Sequence, residues 1–112
     1  MKLLGKKEYN FVEQTLRTFG LATQLEEPFE SAKKEIVEFF NISPYDEFLQ
    51  LFYFNRHEYR NRYRDNRSMF TFLCKKLYVQ ESTLYMMRKE IVYKSAMILY
   101  KYNILQEFKN EF

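Results

Sequence analysis

Apolar residues recur along this chain at spacings of three and four, the period of helices with one buried face. Tyr9, Val12, Leu16 and Phe19 form the first stripe and predict a helix over 6–19, with Gly20 as its C′ residue followed by Leu21. After a connector over 21–26, Pro28 suits the first turn of a second helix over 27–40. Phe29, Ala32, Ile36, Phe39 and Phe40 make its inner face, and Asn41 and Ile42 end it. Ser43-Pro44-Tyr45-Asp46 is the clearest helix start: a serine N-cap, proline at the first position, and acid in the first turn. The third helix is expected to run from Pro44 to about Arg64 on a stripe of Tyr45, Phe48, Leu49, Phe52, Tyr59 and Tyr63.

The rest of the chain reads as two helices joined by a tight turn. Over 68–76 a shorter helix turns Phe72, Leu73 and Leu77 inward. Leu77, Tyr78 and Val79 make the turn, and a second helix starts near Gln80 or Glu81, where acid suits the positive helix end. In it Leu84, Met87, Arg88, Ile91 and Ser95 share one face, with Leu84, Met87 and Ile91 packing on the shorter helix. Ser82, Met86, Lys89 and Tyr93 fall opposite. The helix continues through Tyr102, and Asn103 interrupts it before 104–112. Asp65-Asn66-Arg67 is the best break between the front helices and this pair, but too short for a linker. The expectation is one all-α domain over 1–112, of about five helices with a C-terminal helix-turn-helix: a helical N-terminal part over 1–66, then the helix-turn-helix and tail over 67–112.

Composition supports that class. Two glycines and two prolines argue for long helices, and twelve phenylalanines with ten tyrosines supply a large apolar core. One cysteine excludes an internal disulfide or a cysteine zinc cluster. Cys74, beside Leu73 and Leu77, reads as a buried small residue, with a redox switch as the alternative. No apolar run resembles a signal peptide or membrane span, so a cytoplasmic protein without a membrane partner is expected.

The net charge of +3 is unevenly spread. Residues 1–50 carry six lysines and arginines against nine acids, and residues 51–112 twelve against six. An acidic front facing protein or solvent and a basic rear facing a polyanion follow. Arg56, Arg60, Arg64 and Arg67, at spacings of four, four and three, share one helix flank within about a quarter-turn. Beside tyrosines, such a row suits phosphates, because the guanidinium fork bonds two oxygens. The alternative is a solvated face partly neutralised by Glu58 and Asp65.

Leu77-Tyr78-Val79, then Glu81-Ser82-Thr83-Leu84-Tyr85 and Arg88-Lys89-Glu90-Ile91, resemble region 4 of the sigma-70 factors. More closely they resemble the phage transcription activators of the ArpU and RinA kind, whose C-terminal part is similar to that region. The resemblance covers roughly 67–94. Two positions depart from it: Tyr78 stands where glycine is common at the turn, and Gln80 where serine is common as N-cap. It implies a sequence-specific, double-stranded-DNA-binding transcription regulator of a phage or mobile element. The second helix of the pair would read the groove through Gln80, Glu81, Ser82, Tyr85, Met86 and Lys89, with Glu81 accepting from a cytosine amine and Lys89 donating to guanine. Arg60, Arg64, Arg67, Lys75, Lys76 and Lys94 would hold phosphates, which position without specifying. By the same analogy the acidic helices hold RNA polymerase or another regulatory protein. The rival reading is a helical protein-interaction module that does not read DNA.

Catalysis finds little support. His57, the one histidine, lies inside the arginine row and suits a surface or phosphate-touching role better than a general base. No Gly-rich phosphate loop or paired-acid arrangement stands out, so no enzyme, cofactor or metal is expected. The tail carries Ile98, Tyr102, Leu105, Phe108 and Phe112 on one stripe. It folds back on the N-terminal helices, through Tyr9, Leu16 and Phe19, or pairs with a second copy as a homodimer.

Overall fold

In α1 (Lys6–Leu21) the expected stripe is the buried one: Val12, Leu16 and Phe19 are fully covered and Tyr9 is half-buried. These contacts come from a computed structural model that describes residues 4–105, in which all regular structure is helical. Gly20 does not end the helix as a left-handed residue. It lies inside α1, which closes at Ala22 through a bond from the Ala22 amide to the Thr18 carbonyl. Gly20 is needed for close approach: a Cβ there would collide with the Phe54 backbone.

Helix α2 (Phe29–Phe39) follows Pro28, and the Glu27 carboxylate fixes its first turn by accepting from the Ser31 amide (2.9 Å) and hydroxyl (2.7 Å). Ala32, Ile36 and Phe40 are buried as expected. Phe29 and Phe39 are exposed instead. Phe29 is the helix's first residue, and Phe39 sits on its flank, edge-on to Phe40.

The expected third helix is broken. Helix α3 (Tyr45–Phe48) passes at once into π-helical turns over Leu49–Phe54, closed by the Asn55 amide on the Gln50 carbonyl (2.6 Å). A 3-10 turn, Arg56–Tyr59, follows. Pro44, not Ser43, occupies the cap position, and the Ser43 hydroxyl bonds Glu47 instead. The break has a packing cause. Phe48, Leu49, Phe52, Tyr53 and Phe54 are all buried, and in a straight α-helix those five would spread over about 240° of the circumference. The segment packs on α1 and its Phe52 meets Phe70 of α4 edge-on, and wider turns let it bury rings toward both.

Helix α4 (Asn66–Leu77) starts two residues earlier than its apolar pattern suggests. Asp65 is its N-cap, accepting from the Ser68 amide at 2.7 Å. Met69, Phe70, Leu73 and Leu77 are buried, while Phe72 is half-buried and stacks on Tyr63 at 4.6 Å. Cys74 is also half-buried, and burial, with Glu81 adding to it, raises its thiol pKa.

Tyr78 turns the chain in the left-handed conformation (φ 56°, ψ 45°), the Val79 amide closes on the Cys74 carbonyl, and α5 (Glu81–Lys101) begins after Gln80. Helix α5 is the axis of the fold, contacted by α1, α2 and α4. That is why Leu84, Met87, Ile91, Val92, Ser95, Ala96, Ile98 and Leu99 are all buried. Tyr93 is not on a free outer face: its ring meets Tyr9 edge-on and its hydroxyl accepts from the Leu4 amide. Past Lys101, Asn103 takes a positive φ of 61° and Leu105 is buried. Tyr102 donates to Glu35 of α2 at 2.8 Å, so the described part of the tail folds back on the N-terminal half. Phe108 and Phe112 lie outside the described residues.

Candidate nucleic-acid interface

Helices α4 and α5 are held by Leu73, Leu77, Leu84 and Met87, and the three-residue turn Tyr78-Val79-Gln80 joins them. With that side packed, the opposite side of the α5 N-terminal half faces outward. Gln80, Glu81, Ser82, Tyr85, Met86 and Lys89 are all exposed. The five of these that lie within α5 span about 140° of its circumference. Tyr85 rests one ring edge against Phe70 (4.9 Å) and keeps its other side open.

The cations proposed for phosphates do not form one cluster. Arg67 is exposed in the first turn of α4, and Lys75 and Lys76 are exposed in its last turn. Lys75 borders a shallow pocket with Arg62, Tyr63 and Ser68. Lys76 borders a groove floored by Phe40, Leu49 and Leu51 and edged by Asp46 and Glu47. Lys94 is turned to α2, its ammonium 4.3 Å from the Phe39 ring centre.

Because the third helix is broken, the arginine row is not a straight flank. Arg56 turns inward, its guanidinium over the Phe52 ring at 4.7 Å and its Nη2 donating to Asn66 Oδ1 at 3.0 Å. Arg60 and Arg64 stay exposed and border a cavity of about 340 Å³ with Arg56, His57, Tyr53 and Tyr63. Its far wall is α1, through Gln14, Arg17 and Leu21, and Asn66 of α4 completes it. Burial lowers the Arg56 pKa, the nearby Arg17 and Arg88 lower it further, and Tyr53 and Glu13 offset part of this.

Beneath this wall lies a buried polar triad that the sequence signalled only in part. Arg88 binds Glu13 with both arms of its fork, Nε at 2.7 Å and Nη2 at 2.9 Å. The Tyr53 hydroxyl donates to the same carboxylate at 2.6 Å. Burial pushes Glu13 up, but the bonds from Arg88 and Tyr53 outweigh it and the net pKa is lowered. Burial, then Glu13, raises Tyr53 well above its ordinary value. Arg88 on an otherwise apolar face was the signal that an acid must meet it. Which acid is not readable locally, because Glu13 is 75 positions away. Arg17 was likewise missed: it reaches the cavity from another helix.

Among the described residues no group of three or more His, Cys, Asp and Glu side chains is arranged to hold a metal, and no helix is long and apolar enough to cross a membrane. No protein-family model, curated protein or solved structure matches this chain.

Proposed function

We propose that the protein is a sequence-specific binder of double-stranded DNA that regulates transcription, with the N-terminal half of α5 lying in the major groove. The observation that carries this reading is the α4–α5 pair: two packed helices, a three-residue turn, and an outward face on the first turns of the second helix. That face offers an acceptor at Glu81, donors at Ser82 and Lys89, and apolar surface at Tyr85 and Met86, the means of reading base edges. Arg67, Lys75 and Lys76 sit on the adjoining helix within the basic half of the chain, as backbone positioning requires. The phage or mobile-element setting and contact with RNA polymerase rest on the resemblance to the ArpU and RinA kind alone.

Selection from random duplex DNA tests the reading. An enriched motif is expected, and its symmetry reports whether one copy or a homodimer binds. Lys89→Ala should relax preference at particular base pairs at a cost of about 1–3 kcal/mol, and Ser82→Ala should do so at less. No enrichment, or unchanged selection by both variants, would sink it.

One observation favours the rival reading, a protein-interaction module. Tyr78 at 94 % exposure, with Met86 and Tyr85 over half exposed, makes an aromatic and sulfur-bearing surface about the turn, of a kind suited to protein contacts. Salt separates the two, since phosphate-driven binding weakens steeply as salt rises and such an interface does not.

A further inference from the structure

We propose that the cavity between α1 and the 3-10 turn is a binding site for a compact, multiply charged phosphate group, such as a phosphomonoester or an oligophosphate. Four guanidinium groups converge on it from two separate stretches of chain: Arg17 from α1, and Arg56, Arg60 and Arg64 from the broken third helix. Among the described residues no carboxylate lines it. Among the described residues none of the four is in an ion pair. The nearby acid Glu13 is already taken by Arg88 and Tyr53.

Glu13 and Asp65 reach Arg17 and Arg56 only in part, so the four like charges still repel one another, and an anion relieves that repulsion. Arg56 adds a more specific sign. Its guanidinium is fixed by the Phe52 ring and by Asn66, yet its Nη1 is buried without a hydrogen-bond partner. A buried charged donor without an acceptor is costly, and an anion in the adjoining cavity offsets that cost through its field. Arg17 is steadied over the Tyr53 ring at 5.8 Å, so two of the four forks are positioned before any ligand arrives. Arg60 and Arg64, exposed at the mouth, are free to close on it.

The chemistry selects for charge. A phosphomonoester carries about −1.5 to −2 at neutral pH and exposes three oxygens. A backbone diester carries one charge and must run through the site rather than end in it. The volume, about 340 Å³, takes a phosphate together with a small organic part, and Leu21 and Tyr63 offer that part apolar surface. The assignment does not rest on the DNA reading, although a duplex and this ligand would compete for Arg60 and Arg64.

Calorimetric titration of the full chain with pyrophosphate, ADP and adenosine tests it. Pyrophosphate and ADP are expected to saturate at one per chain and adenosine to give no binding. The exposed pair Arg60→Ala with Arg64→Ala is expected to lose at least tenfold in affinity with unchanged melting. Removing equal charge elsewhere, by Lys6→Ala with Lys7→Ala, should leave binding as it was. Absence of saturable binding up to millimolar pyrophosphate and ADP overturns the proposal, as does adenosine matching ADP or the lysine variant losing as much as the arginine one. Displacement of ADP by single strands then identifies the source. A 5′-phosphorylated strand that competes while its 5′-hydroxyl twin does not assigns the group to a nucleic-acid end. Competition by neither assigns it to a free nucleotide. Equal competition by both overturns the preference for a monoester.

Discussion

Arg88 grips Glu13 through two parallel hydrogen bonds, 2.7 and 2.9 Å long, and so clamps α5 to α1 across the interior. Glu13 is almost wholly buried and Arg88 about four-fifths so. Removing one partner strands the other's charge, and Arg88→Ala is expected to cost about 3 kcal/mol in urea unfolding.

The same pair sets an acid dependence. The folded pKa of Glu13 is lowered, so its contribution is fully present above the unfolded value of 4.5 and lost as pH falls through the folded one. Glu13→Gln should therefore flatten the fall in stability as the pH drops below 4.5. An identical fall in parent and variant would show that Glu13 does not titrate as described.

Gly20 and the Phe54 backbone are in contact with no room between them. Gly20→Ala should force α1 away from the π turns and lower stability by about 3 kcal/mol or more, although alanine is the better helix former. A thermal melt reads the change, and a stabilised variant would contradict the contact.

At the turn, Tyr78 holds a left-handed conformation that costs an ordinary residue about 1–2 kcal/mol. It is almost fully exposed, so little packing is lost on replacement. Tyr78→Gly is expected to raise stability by up to about 1 kcal/mol, net of the flexibility glycine adds to the unfolded chain, and Tyr78→Val to lower it by a similar amount. The order of the two melting temperatures is the check.

Ser95 is completely buried in α5, and its hydroxyl has no hydrogen-bond partner. Ser95→Ala removes that unpaired group and improves helix propensity, so a gain of about 1 kcal/mol is expected. A loss instead would mean that the hydroxyl is satisfied in solution.

For DNA, Lys75→Ala with Lys76→Ala should weaken all duplexes alike and lower the slope of log affinity against log salt by about one per lost contact. Lys94→Ala should leave the slope unchanged, because Lys94 is spent on Phe39 and faces α2.

Where burial follows a single stripe, the sequence was a good guide. The α1 stripe, the start of α5, its end near Tyr102 and the break at Asn103 all follow from local periodicity and caps. Ser43-Pro44 read as a strong start yet leads into only four α-helical residues, because Phe48 to Phe54 must bury rings in several directions. No stripe count contains that demand. It depends on α1 and α4 both meeting this segment. The candidate interface divided the same way. Exposure of the α5 face followed from its periodicity, whereas the cavity needed Arg17 to meet residues some 40 positions later.

The π-helical stretch has one more consequence. Wide turns hold, in effect, one residue more than an α-helix of equal rise. The chain therefore enters the 3-10 turn about 100° out of α-helical phase. The inward aim of Arg56 is therefore a matter of register. Deleting one residue between Leu49 and Phe54 would shift that phase and turn Arg56 away from the cavity, while the 3-10 turn keeps Arg60 and Arg64 off a straight flank. One codon's worth of length thus decides whether the charged bowl keeps its innermost arginine.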